Sequence, residues 1–168
     1  MTISMYKASA PRFIHTLNAL SAILDKAQAH ADAKKIDPLV LTSFRLFPDM
    51  LSMARQVQIA CDSAKGAMAR LSGTENPKFE DTEQTISELK ARIAKTVAYV
   101  AAFKPEQIDG TEDKDIPLKV GGNDMIFKGM QYLLGFAYPN FYFHVTTAYN
   151  MLRHNGIEIG KKDFLGNP

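Results

Sequence analysis

Apolar residues recur along most of this chain with a helical period. From Ser4 to Ala33, Phe13, Leu17, Leu20 and Leu24 fall at steps of four, three and four. That spacing places them on one helix face, with Arg12, Asn18 and Lys26 elsewhere. Pro11 lies inside this stretch, so the helix either begins after a Ser9 cap or runs longer and kinks at Pro11. The longer helix is favoured, because Met5 and Tyr6 would otherwise be stranded. The second pattern is the clearest: Met50, Ala54, Val57, Cys61, Ala64, Met68 and Leu71 alternate by four and three over three heptads. Pro48 suits its first turn and Gly73 its stop. The third stretch starts at Asp81 or Thr82, where Asp81 and Gln84 fit a capping box. Ile86, Leu89, Ile93, Val97 and Val100 follow as its apolar face, and Pro105 ends it. The last stretch runs from Tyr138 to Asn155, with Phe141, Val145, Ala148 and Leu152 on one face and Asn155-Gly156 as the stop. The tail from Ile157 to Pro168 has no clear period.

Between Glu106 and Gly129 the helical period is lost. Ile116, Leu118 and Val120 alternate with Pro117 and Lys119, Gly121-Gly122-Asn123-Asp124 is turn chemistry, and Ile126 and Lys128 follow. This predicts a two-stranded hairpin with one face on the helices, since a lone hairpin is marginal in water. Four amphipathic helices and one hairpin predict an all-α protein, a four-helix bundle with a small β-hairpin between the third and fourth helices. Helix order stays open at this point. The residues from Ser72 to Asp81 span at most roughly 33–36 Å, and the third helix is roughly 30 Å long. A parallel crossover is therefore within reach, and an antiparallel turn is easier.

The chain has 168 residues, 46% hydrophobic and 23% charged, which places it among ordinary globular proteins and predicts one domain over 1–168. Its 20 basic and 18 acidic side chains leave a net charge of +2. The pI of about 8.6 and the isolated doublets Lys34-Lys35 and Lys161-Lys162 fall short of a nucleic-acid footprint. No run approaches a membrane span, and the start has no signal-peptide core, so a cytoplasmic protein is the expectation. Cys61 is the one cysteine, which excludes an internal disulfide and a multi-cysteine zinc site. It reads as a small core residue rather than a nucleophile.

Several segments carry a family resemblance. They are Arg45-Leu46-Phe47-Pro48-Asp49-Met50, the run from Ala54 to Asp62, and Pro139-Asn140-Phe141-Tyr142-Phe143-His144-Val145-Thr146-Thr147-Ala148-Tyr149. The latter continues to Leu152-Arg153-His154-Asn155-Gly156, and the ending is Gly160-Lys161-Lys162-Asp163-Phe164-Leu165-Gly166. Together they resemble an uncharacterised bacterial domain-of-unknown-function family within the DinB/YfiT-like metalloenzyme superfamily. The resemblance implies an up-down-down-up four-helix bundle, which selects the parallel crossover, and a homodimer. It also implies a divalent metal held by three histidines, one on the second helix and two at H-x-x-x-H spacing on the fourth.

The histidines here are His15, His30, His144 and His154, and none lies on the second helix. Four residues after His144 stands Ala148, and four before His154 stands Asn150. His144 and His154 are ten residues apart, roughly 15 Å along a helix, too far to share one metal with Zn–N bonds of about 2 Å. His144 reads as a hydrogen-bonded histidine at the bundle wall, or as a pocket ligand or general base. Asp49 reads as a favourable charge at the start of the second helix, or as a carboxylate paired with His144 from the facing helix. Such a His144/Asp49 site would accept zinc, manganese or iron. Gln56 and Tyr149 complete the pocket candidates, and Arg45 and Arg55 read foremost as solvated or salt-bridged side chains, or else as cations that line a pocket for an anionic ligand with Gln56. Tyr138, Tyr142 and Tyr149 read foremost as packing, and His154 as a cation in the last helical turn.

Two functions follow. One is a DinB-like metal-dependent enzyme whose three-histidine site is incomplete. The other is a metal-free dimeric bundle that binds a small molecule or a protein partner, motivated by the missing H-x-x-x-H and by eight Met and ten Phe. Whether the protein is an enzyme stays open.

Overall fold

Ser4 accepts a hydrogen bond from the Lys7 amide at 3.3 Å, and from this cap α1 runs Met5–Lys34. The computed structural model describes residues 3–166. Pro11 lies inside α1, so the longer of the two readings holds, and the Ser9 hydroxyl donates to the Met5 carbonyl at 2.7 Å within the helix. Phe13, Leu17, Leu20 and Leu24 are all buried. Each such side chain contributes about 1.5–3 kcal/mol relative to exposure.

A short helix that the periodicity missed, α2 Pro38–Ser43, follows; Asp37 caps it by accepting from the Leu39 amide at 2.9 Å. The second long helix, α3 Met53–Ser72, starts later than Pro48. Residues 47–50 form a turn, so Met50 lies outside α3, whose cap is Ser52. Gly73 ends it with φ near 80°, a left-handed conformation that glycine adopts at no steric cost. The Ala54, Val57, Cys61, Ala64, Met68 and Leu71 seam is buried as its spacing requires.

The capping box of the next helix is Thr85 with Glu88, four residues beyond the Asp81–Gln84 pair, and α4 spans Ile86–Ala101. Residues 73–85 therefore form an irregular crossover. A single turn, α5 Pro105–Ile108, precedes the hairpin of β1 Asp115–Val120 and β2 Asn123–Lys128. The strands are antiparallel, Val120 faces Asn123, and Gly121 and Gly122 both have positive φ, as a tight two-residue hairpin turn requires. Ile116 is buried, and its partner Phe127 packs against Phe136, so one edge of the hairpin rests on the helices.

The last helix starts nine residues before Tyr138. Gly129–Tyr132 forms α6, Leu133–Ala137 a π-helical turn, and Tyr138–His154 forms α7, without a break. Pro139 explains the wide turn. It has no amide for the Gly135 carbonyl, and its ring would clash there in a regular helix. The Tyr138 amide accordingly donates to Leu133, five residues back. Asn155 and Gly156 end α7 as the sequence predicts, and α8 Lys161–Leu165 packs on α1.

The protein is thus mostly helical with one small antiparallel hairpin. Specific contacts set the relative directions of the long helices. Gln58 bonds Glu83 near the starts of α3 and α4, and Tyr99 bonds the Glu75 carbonyl near their ends, so these two run in the same sense. Gln56 meets His144 while Arg70 meets Tyr132, so α3 opposes α6–α7. The Tyr6 amide bonds Asp109 beyond the end of α4, and Asp25 pairs with Lys90 near its start, so α1 opposes α4.

Candidate functional site

The first turn of α3 and the second turn of α7 face each other. There Nδ1 of His144 lies 2.6 Å from Oε1 of Gln56. Gln56 is buried, and its Nε2 donates to the Leu51 carbonyl at 3.3 Å. A carbonyl only accepts, so the amide nitrogen must face Leu51 and the amide oxygen must face the imidazole. That oxygen also only accepts, so Nδ1 of His144 carries the proton and Nε2 of the neutral ring presents its lone pair. Burial, reinforced by the Arg55 cation, lowers the His144 pKa below the ordinary imidazole value and favours this neutral state.

The structure does not bring Asp49 to this ring. Asp49 sits exposed on the turn before α3, and no hydrogen bond or ion pair joins it to His144 among the described residues. The position that faces His144 belongs to Gln56, and Ala148, one turn onward, is buried and apolar. The three-histidine metal set implied by the resemblance does not fit these residues. Among the described residues no three His, Cys, Asp or Glu side chains lie close enough to hold a metal ion.

Residues 5–165 match the family described as a domain of unknown function, DUF1993. The chain belongs to the DUF1993 family. A crystal structure of a DinB family member protein from Shewanella denitrificans is 42% identical, with a TM-score of 0.89, over 97% of this chain and 92% of the other. DUF1993 is thus a DinB-like family. No curated protein matches the chain.

The remaining candidates of this DUF1993 protein scatter. Tyr149 packs edge-on against Phe164, 5.7 Å between centroids, and lines a small cavity of about 200 Å³ with Thr146, Asn150 and Lys161. His15 hydrogen-bonds the Leu165 carbonyl at 2.5 Å, which ties α8 to α1. His154 stacks on Phe44 at 5.6 Å. Arg45 bonds the Met50 carbonyl and braces the turn before α3. Cys61 is buried, and that burial pushes its thiol up to about 12, so it is no nucleophile near neutrality.

Sequence reasoning missed a buried charge cluster between α3 and α4. Arg92 is 1% exposed at its side chain and pairs with Asp62 at 3.1 Å, Asp81 at 3.0 Å and Glu83 at 3.1 Å. Burial opposes its charge, yet Asp62 and Glu83 outweigh that and raise its pKa. The cluster reaches the His144 site through Arg55, which pairs with Asp81 at 2.5 Å and bonds Gln58 at 2.7 Å. The available signal was an arginine beside Ile93 on the apolar face of α4. No helix among the described residues is long and apolar enough to cross a membrane.

Proposed function

We propose that this DUF1993 protein is a DinB-type up-down-down-up four-helix bundle that binds a small molecule through the neutral imidazole of His144, without the three-histidine metal centre. The helix order is supported by the shared sense of α3 and α4 and by the opposition of each to its other long neighbour. The binding role rests on one observation: Gln56, its amide oriented by Leu51, fixes the Nδ1–H form of His144 and leaves Nε2 as an acceptor or general base. A ligand that donates a hydroxyl or amide proton matches that group.

Assembly as a homodimer belongs to the same proposal. Apolar side chains are exposed near the site: Leu51 before α3, Phe47, 63% exposed, on the turn preceding Leu51, and Phe143 next to His144 in α7.

Two measurements test this reading. Nitrogen NMR of the imidazole near neutral pH is expected to show the Nδ1–H tautomer of His144. Metal analysis of tag-free protein is expected to give the same content for wild type and His144→Ala. Stoichiometric zinc, manganese or iron that disappears with His144→Ala would overturn the proposal in favour of a metal-dependent enzyme. Sedimentation tests the dimer, and a strict monomer removes it.

A further inference from the structure

The crossover of residues 73–85 is fastened unlike the rest of the chain. None of its residues is buried, and only Pro77, Phe79 and Glu83 are half-buried. No backbone amide from residue 75 to 83 donates to a protein atom among the described residues. The segment is held instead by side chains reaching out from α3 and α4. Lys65 donates to the Pro77 carbonyl, Arg92 to the Glu80 carbonyl at 2.9 Å, and Tyr99 to the Glu75 carbonyl at 3.4 Å. Arg92 and Arg55 pair with Asp81, and Arg92 and Gln58 hold Glu83. The one aromatic anchor, Phe79, has Lys95 at 4.0 Å, Lys65 at 4.4 Å and Arg92 at 5.8 Å from its ring centroid. A cavity of about 430 Å³ lies between this segment and α4, lined by Lys78, Phe79, Arg92 and Lys95 among others.

We propose that residues 75–83, between the caps of α3 and α4, form a charge-fastened lid that lifts as a unit from the α3–α4 seam while the helices stay folded. Little apolar area is lost when it lifts, so polar and ionic contacts hold it down, and salt screens chiefly the exposed pair Arg55–Asp81. Lifting withdraws Asp81 from Arg55, which adjoins Gln56, and Glu83 from Gln58, two positions beyond it. The lid therefore borders the His144 site and loosens the α3 turn that carries it. The inference stands on the crossover contacts and survives if the His144 reading fails.

Trypsin reads the lid at Lys78, whose exposed peptide bond to Phe79 is cleaved only when the surrounding segment leaves the surface. Full-length protein is digested in about 0.05 M and about 1 M NaCl, where the screening length falls from above 10 Å to about 3 Å. Rates are referred to an unfolded peptide substrate in the same salt. Cleavage after Lys78 is expected to rise severalfold as the exposed Arg55–Asp81 pair is screened. Cleavage after Arg70 in α3 and Lys95 in α4 is expected not to follow. Asp81→Asn, at an exposed position, is expected to speed cleavage after Lys78 severalfold at low salt with unchanged helical content. A Lys78 rate that ignores salt and Asp81→Asn, or that rises only together with Arg70 and Lys95, overturns the lid.

Discussion

Gln56 and His144 stand 88 positions apart in sequence and are joined by a 2.6 Å bond between Oε1 and Nδ1. An amide here, unlike a carboxylate, adds no negative charge against the ring, so burial and the Arg55 cation keep the imidazole neutral.

Replacement of Gln56 by Glu puts a carboxylate against Nδ1. The His144 pKa is expected to move from below to above the ordinary value of about 6.5. Proton NMR titration of the imidazole reads this directly. Gln56→Ala removes the bond instead and is expected to cost about 1–2 kcal/mol in urea denaturation.

The depressed His144 pKa also makes stability depend on pH. Folding favours the neutral ring, so the contribution is complete above the unfolded value of about 6.5. It is lost as pH falls from that value toward the lower folded one, where the unfolded chain takes up a proton that the folded protein does not. Wild type is therefore expected to lose stability as pH falls below about 6.5, before most carboxylates titrate, and His144→Gln is expected to flatten that part of the profile. An unchanged slope in His144→Gln rules the residue out as its source.

Arg92→Met leaves Asp62, Asp81 and Glu83 without their shared cation. The expected cost is about 3 kcal/mol, the low end for stripping one member of a buried pair. Asp62 and Asp81 stay at that low end because both keep part of their water, at 38% exposure. Thermal unfolding followed by circular dichroism checks it.

Gly129 has no space for a side chain. A Cβ built there would sit 1.9 Å from the Thr111 carbonyl oxygen, and that carbonyl is backbone that cannot swing aside. Gly129→Ala is expected to cost about 2–3 kcal/mol by overpacking, read as a lower urea midpoint.

The long amphipathic faces were legible in the sequence because burial and a 3.6-residue period coincide along α1, α3, α4 and α7. Gly121-Gly122 announced the hairpin for a similarly local reason, its need for two positive φ angles. Helix starts were less legible. Asp81–Gln84 and Thr85–Glu88 are both valid capping boxes four residues apart, and the choice fell to Arg92, which holds Asp81 in the crossover. The stretch from Gly129 to Ala137 hid its helix because Gly129, Gly135 and Pro139 read locally as breakers. At the site, His144 was visible as an imidazole on an aromatic helix. Asp49 looked like its partner only while Pro48 counted as part of α3. Once the turn at 47–50 shifts the helix start to Met53, Gln56 takes the facing place.

The π-helical turn at Leu133–Ala137 sets the angular phase of everything after it. Each residue advances a helix by about 100°, so the one surplus residue in that turn decides which side of α7 looks toward α3. Excising Gly135 would rotate the residues before it by about a quarter of a revolution relative to the imidazole after it. The aim of His144 is thus governed from Pro139, more than a full turn upstream, by a residue that never touches it.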